Sequence, residues 1–161
     1  MLDAKDRHIL ERLQHDGRAT HAELARELGM APSAVLERIR KLERGGTLRG
    51  FTARIDPEAL GLGLLAYVFV QADERLTEEN TGRLLAAIPE VQEVHHIAGE
   101  DCYLVKVRCR STAALGQLVQ QRFGALESVR RTRTTIVLRT IKESSELPFP
   151  EIENEEVHEP T

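Results

Sequence analysis

Apolar positions recur along this chain at two different periods, and the change falls near residue 63. Before it, Ile9, Leu10 and Leu13 stand at helical spacing, which predicts a helix over 3–15 with Asp3 as its cap. Asp16-Gly17 ends that helix, with the glycine expected in the left-handed conformation. Thr20-His21-Ala22-Glu23 is a capping box, in which hydroxyl and carboxylate each satisfy a backbone N–H that the first turn leaves open. Ala22, Leu24, Ala25 and Leu28 form the apolar face of this second helix, and Gly29 breaks it. Pro32 opens a third helix at a position that needs no donor. Val35, Ile39 and Leu42 face inward, and Gly45-Gly46 stops it. Residues 48–56 read as a connecting strand, Asp56-Pro57 as a turn, and Gly61 with Gly63 as a hinge.

Beyond the hinge the period falls to two. Leu64–Ala72 is a strongly apolar strand. Thr77 is positioned to cap a helix carrying Leu84, Leu85 and Ile88, which Pro89 terminates. Val91–Ala98 is a strand and Gly99-Glu100-Asp101 a tight turn. Tyr103–Cys109 is a strand with Tyr103, Val105, Val107 and Cys109 on one face and Lys106 and Arg108 on the other. Ser111 caps a helix with Leu115, Leu118 and Val119 on one side, and Gly124 closes it. Val129–Ile141 is a last, long strand. The order β-α-β-β-α-β is the split pattern of a ferredoxin-like sandwich.

The fold class is therefore α+β. A three-helix, winged helix-turn-helix occupies 1–50, the connecting strand and hinge 51–63, a ferredoxin-like domain 64–142 and an acidic tail 143–161. Two helices cover only one face of a four-stranded sheet. An apolar opposite face needs a partner, so a dimer is expected.

Two short helices about four residues apart around a glycine fit the helix-turn-helix pattern. The outer face of the third helix carries Ser33, Glu37, Arg38, Arg40, Lys41 and Arg44. On charge alone this is a solvated face with local ion pairs to Glu37 and Glu43. As the second helix of the motif, it is a reader of the major groove. Ser33, Ala34 and Glu37 are candidates for base edges, Arg40, Lys41 and Arg44 for phosphates, and Arg38 for either. The net charge of −4 is no objection. Residues 1–50 carry +2, 51–142 carry +1 and 143–161 carry −7, while 31–50 alone carry +3. A phosphate backbone responds to local charge, through a Debye length of about 8 Å.

Other chemistries find little support. No apolar run approaches the roughly 20 residues of a membrane helix, and the first residues lack the core and cleavage site of a signal peptide. The cytoplasm is the expected compartment. Cys102 and Cys109 lie seven apart in one predicted strand, on opposite faces, and are not expected to bridge. Adjacent His95 and His96 point to opposite faces, and no CxxC or HxxxH spacing exists, so no metal is expected. There is no GxSxG, P-loop or dinucleotide fingerprint, and Ser111 and Ser128 lack His-Asp partners. No catalytic residue and no cofactor are assigned. A small phosphatase on the β-α-β-β-α-β fold is the enzyme alternative, and it leaves the first fifty residues unexplained.

Two stretches, LDAKDRHILERLQHDGRATHAELARELGMAPSAVLERIRKLERGGTLRGFTARIDPEALG and HHIAGEDCYLVKVRCRS, resemble the Lrp/AsnC (feast/famine) family of transcription regulators. The likeness runs over about residues 2–142. It implies a cytoplasmic homo-oligomer, dimers assembling into tetramers or octamers, on double-stranded promoter DNA and away from the membrane. It also implies a free amino acid effector bound between neighbouring dimers. The turn Gly99, Glu100, Asp101 and Cys102, with Thr134 and Thr135 of the last strand, resembles the walls of that pocket. Two positions depart from the family pattern. Ala31 stands where Ser or Thr is usual, which removes a helix cap worth roughly 1 kcal/mol. Cys102 stands where many amino-acid-responsive members have Asp.

Overall fold

The computed structural model describes residues 2–73 and 81–149. The chain divides into two compact units. One comprises the residues up to Ala53 together with the chain from Glu143; the other is Arg54–Lys142.

The first unit is built on three helices, α1 (Ala4–His15), α2 (His21–Leu28) and α3 (Pro32–Arg44). Their apolar stripes meet in one cluster: Ile9 and Leu13 of α1, Leu24 and Ala25 of α2, and Val35, Ile39 and Leu42 of α3. The caps follow the residue chemistry. Asp3 accepts from the Asp6 N–H at 2.8 Å. Thr20 Oγ1 accepts from the Glu23 N–H at 3.2 Å, and Glu23 Oε2 accepts from the Thr20 N–H at 2.7 Å, so the capping box is complete. Gly29 ends α2 in the left-handed region, at φ 62°. Ala31 precedes α3 with no side-chain cap, and Ser33 does not replace it. Gly17 has a different reason from the one its sequence suggests. Its φ is not positive, but a Cβ there would meet the Phe51 ring at 3.3 Å. Close approach, rather than handedness, favours glycine at this position.

The strand expected over 48–56 is absent. That stretch is an unpaired connector, and no wing strand follows the three helices among the described residues. Only a short 3₁₀ turn, Glu58–Leu60, interrupts the path to the sheet.

The second unit is a sheet of β1 (Leu64–Ala72), β2 (Val91–His96), β3 (Tyr103–Cys109) and β4 (Val129–Ile136), with α4 (Thr81–Ala86) and α5 (Thr112–Leu118). Strand order is β2-β3-β1-β4 and every neighbouring pair is antiparallel. β1 and β2 are separated by β3, which is the split β-α-β arrangement. Ala66, Val68 and Val70 of β1 and Tyr103, Val105, Val107 and Cys109 of β3 face Leu85, Ile88, Leu115, Leu118 and Phe123. Ser111 caps α5 by accepting from the Ala114 N–H at 3.2 Å. α5 then widens into a π-helical turn, Val119–Phe123. The expected cap Thr77 lies outside the described residues. β4 is five residues shorter than expected, because Ile136 pairs with Ala66 near the start of β1 and little partner strand remains beyond it. The other face of the sheet carries Leu65, Tyr67 and Phe69 of β1 and Leu104, Lys106 and Arg108 of β3; neither α4 nor α5 packs its core residues there, and Tyr67, Phe69 and Leu104 are left partly open while Leu65 and Lys106 are buried.

Both cysteines are free. The reason differs from the expected one. Cys102 and Cys109 both pack toward the helix-side core, but at opposite ends of β1, beside Ala72 and Leu64 respectively. Eight residues of strand, roughly 26 Å, separate them.

Candidate nucleic-acid interface and effector loop

Along α3 the buried residues Val35, Ile39 and Leu42 define the inner side. Ser33, Glu37, Arg40, Lys41 and Arg44 are all exposed, at spacings that place them in one strip, with Ala34 half-buried at its margin. Within the strip Glu37 is shared by two cations. Arg44 Nη2 donates to Glu37 Oε1 at 3.1 Å, and Arg40 Nη1 stands 3.9 Å from Oε2. Lys41 makes no ion pair with any described residue. The strip therefore presents cations that exposed pairing holds only weakly.

Arg38 is different. Its Nη1 donates to Asp3 Oδ2 and to Asp6 Oδ1, both at 2.7 Å. Asp6 is nearly buried, so the guanidinium turns inward to α1. The two carboxylates hold the Arg38 pKa above its ordinary value, while the Asp6 N–H and Arg38 hold Asp3 below the ordinary aspartate value. The expectation that Arg38 reaches a base or phosphate thus meets a side chain already engaged in joining α3 to the cap of α1. A second clamp joins α1 to α2: His8 Nε2 lies 2.9 Å from Glu27 Oε2, and Arg12 Nε donates to Glu27 Oε1 at 3.3 Å. Glu27 is held below its ordinary pKa by His8 first and then Arg12.

In the second unit, Gly99 has φ 133° and open space where a Cβ would stand. Glu100 is exposed. Asp101 Oδ2 accepts from Arg133 Nη2 at 3.1 Å, and the Arg133 guanidinium lies 3.9 Å from the centre of the Phe69 ring. Cys102 turns the other way: Sγ donates to the Ala72 carbonyl at 3.4 Å, and the Cys102 N–H donates to the Val70 carbonyl at 2.9 Å. Thr135 pairs with Tyr67 and Thr134 with Val68, so the two threonines project from opposite faces. The turn therefore meets the last strand through Asp101 and Arg133 rather than through both threonines. Sequence spacing does not single out Arg133, because its partner lies 32 residues away.

His95 and His96 also separate. His95 Nε2 lies 3.2 Å from Glu93 Oε2 on the uncovered face, beside the Lys106–Glu93 pair at 3.0 Å. His96 stacks on Tyr103, with 5.2 Å between ring centres. Lys106 is the leading cause of the lowered Glu93 pKa, with His95 the lesser partner. Among the described residues no three His, Cys, Asp or Glu side chains are grouped to hold a metal.

A helix-turn-helix with an exposed cationic strip, followed by a ferredoxin-like sheet with an uncovered face, defines a two-domain DNA-binding regulator. Comparison with known proteins gives the family. Residues 2–43 match the AsnC-type helix-turn-helix domain, and residues 65–147 match the Lrp/AsnC ligand binding domain. The chain is 40% identical over 148 residues to the HTH-type transcriptional regulator FL11 of Pyrococcus horikoshii, covering 92% of this chain and 97% of that one. It is 35% identical over 148 residues to the leucine-responsive regulatory protein of Escherichia coli, covering 91% and 90%. Among solved structures, a feast or famine regulatory protein of M. tuberculosis complexed with L-methionine superposes with a TM-score of 0.84 at 38% identity, over 91% of this chain and 99% of that one. A Neisseria meningitidis regulator in complex with L-Met gives 0.81 at 29%, over 92% and 97%. The chain belongs to the Lrp/AsnC family. It is a transcription regulator and not an enzyme.

Proposed function

We propose that α3 reads a half-site in the major groove of promoter DNA, with Ser33, Ala34 and Glu37 at base edges and Arg40, Lys41 and Arg44 on phosphates. The carrying observation is the single exposed strip of these residues opposite Val35, Ile39 and Leu42. Arg38 acts as a positioning residue that fixes α3 against α1. The regulator works in the cytoplasm as a homodimer closed through the uncovered sheet face, and dimers join into tetramers or octamers. A dimer places two readers on half-sites about one helical turn apart or a multiple of that. Selection from a random duplex library tests this. A shared motif of two such half-sites supports the reading, and an unenriched pool contradicts it.

The effector in this reading is a free amino acid at the Gly99–Cys102 turn. The relatives that hold L-methionine support the ligand class. Here the Asp101–Arg133 pair supplies both charges that a zwitterion requires, the carboxylate for an α-ammonium and the guanidinium for an α-carboxylate. Asp101 thus takes the part that an acid at position 102 plays in the family pattern. A thermal-shift series over the twenty amino acids should show at least one stabilising ligand. Its effect grows with ligand in excess of the dissociation constant and is lost in Arg133→Ala. No shift with any of them contradicts the effector reading and leaves DNA binding untouched.

A further inference from the structure

β1 and β4 are antiparallel neighbours, so the chain enters and leaves the sheet unit side by side, where the Val137 N–H donates to the Leu65 carbonyl at 2.9 Å. Two lengths of chain run from this point to the helical unit. The first is the connector from Leu64 back to Leu48, whose N–H donates to the Leu42 carbonyl of α3 at 3.1 Å. It advances sixteen residues and spans at most about 58 Å. The second runs forward from Val137 and ends on α1, within the helical unit. There the Gln14 amide holds both backbone groups of one residue. Nε2 donates to the Leu147 carbonyl at 2.8 Å, and Oε1 accepts from the Leu147 N–H at 2.9 Å. Pro148 biases Leu147 toward an extended conformation, which leaves these two groups free of helical bonds. The Leu147 side chain is exposed, so the seat grips backbone rather than side chain. Phe149 is half-buried, with the Arg7 guanidinium 5.6 Å from its ring centre. Arg7 and Gln14 are themselves half-buried and share one face of α1. From Val137 to Leu147 the chain advances ten residues and spans at most about 36 Å.

We propose that the Arg7–Gln14 face of α1 is a docking surface for the chain's own 143–149 segment, and that the docked segment is a leash which sets the half-site spacings the protein accepts. The consequence for spacing rests on the proposed dimer of two α3 readers; the seat does not. With the segment docked, two connections hold the helical unit, and the shorter one limits its reach. With the seat vacated, only the longer connector remains. The limit then rises from about 36 to about 58 Å, a gain of about 22 Å for each protomer. Half a helical turn of DNA is about 17 Å. Release of the leash is therefore enough for a dimer to bridge half-sites that a half-turn insertion has moved apart. The seat is also weak enough to open. Each hydrogen bond favours the docked state by on the order of fivefold, and no buried leucine locks it.

The test keeps the full chain and compares three proteins: the unaltered chain, Gln14→Ala combined with Phe149→Ala, and Leu147→Ala. Alanine favours the helix, so α1 is retained in the double variant. Hydrogen exchange reads the seat. The amide at position 147 should be protected in the unaltered chain and in Leu147→Ala, and unprotected in the double variant. Small-angle scattering reads the leash. The maximum dimension of the double variant should rise by on the order of 10–20 Å at unchanged oligomer mass. Duplexes carrying two selected half-sites, with and without about five inserted base pairs, read the consequence. The insertion should cost the unaltered chain on the order of a hundredfold in affinity, because the second half-site falls out of reach, and the double variant about tenfold or less. An unprotected amide at position 147 in the unaltered chain overturns the proposal. So does a double variant that has lost this protection but keeps the dimension and the spacing penalty of the unaltered chain. If every version binds one half-site as tightly as two, the two-reader function fails instead, and the scattering decides the leash by itself.

Discussion

Arg38 and Lys41 stand three residues apart on α3, both cationic, and the structure gives them different surroundings. Arg38 lies between Asp3 and the nearly buried Asp6. Arg38→Ala leaves Asp6 without its cation, and we expect a loss of about 1 kcal/mol in the helical unit, read as a lower melting midpoint. Helical period alone assigns Arg38 to the DNA face, because its partner Asp6 is 32 residues away and the period does not disclose it. Three carboxylates of the helical unit set its response to acid. Asp3, Glu23 and Glu27 are all held below their ordinary values, by the Asp6 N–H, the Thr20 N–H and His8 respectively as leading causes. The unfolded chain therefore takes up protons first as pH falls. The stabilisation is complete above the ordinary values of 3.8 for Asp and 4.5 for Glu, and it is lost as pH drops through the lower folded values. The midpoint of the helical unit should not change through these groups between pH 7 and about pH 5.5, and should decline below about pH 4.5. A decline already complete at pH 5.5 contradicts this assignment.

At the scale of elements, what the sequence disclosed is what local chemistry decides. β1 and β3 have the expected bounds, because alternation and a buried face coincide there. The Thr20–Glu23 box and the Ser111 cap also form as their residues dictate. The departures share one cause. Residues 48–56 and 137–141 have strand-like sequence, but a strand needs a neighbour: among the described residues none is placed beside the connector, and beyond the Ala66–Ile136 pair only Leu65 remains to accept from the Val137 N–H, at 2.9 Å. The family resemblance groups Thr134 with Thr135, while the period of two in β4 sends them to opposite faces. α3 retains one correctable defect, the bare Ala31 before Pro32. Ala31→Ser supplies the missing acceptor and should raise unfolding free energy by about 1 kcal/mol, measured by urea denaturation. An unchanged midpoint would mean that the helix start is fixed by Pro32 alone.

At the scale of the whole molecule, the chain forms two compact units, to which the proposed function assigns reading and assembly. The sheet unit leaves Tyr67, Phe69 and Leu104 partly open on the face its helices do not cover. In the proposed dimer this face is the contact, so Leu104→Glu should move sedimentation toward the monomer with the helix-side core intact. Unchanged sedimentation would move the contact elsewhere. In the proposed function a monomer reads only one half-site, which would tie assembly to specificity. The central claim, that α3 is the reader, is tested most directly by salt-titrated binding of a selected duplex to the unaltered chain, Lys41→Ala and Arg38→Ala. Lys41→Ala should weaken binding and flatten the slope of log affinity against log salt by about 0.9 for each phosphate that Lys41 would neutralise, while Arg38→Ala leaves the slope unchanged. A Lys41→Ala protein with unaltered affinity and slope would contradict the claim.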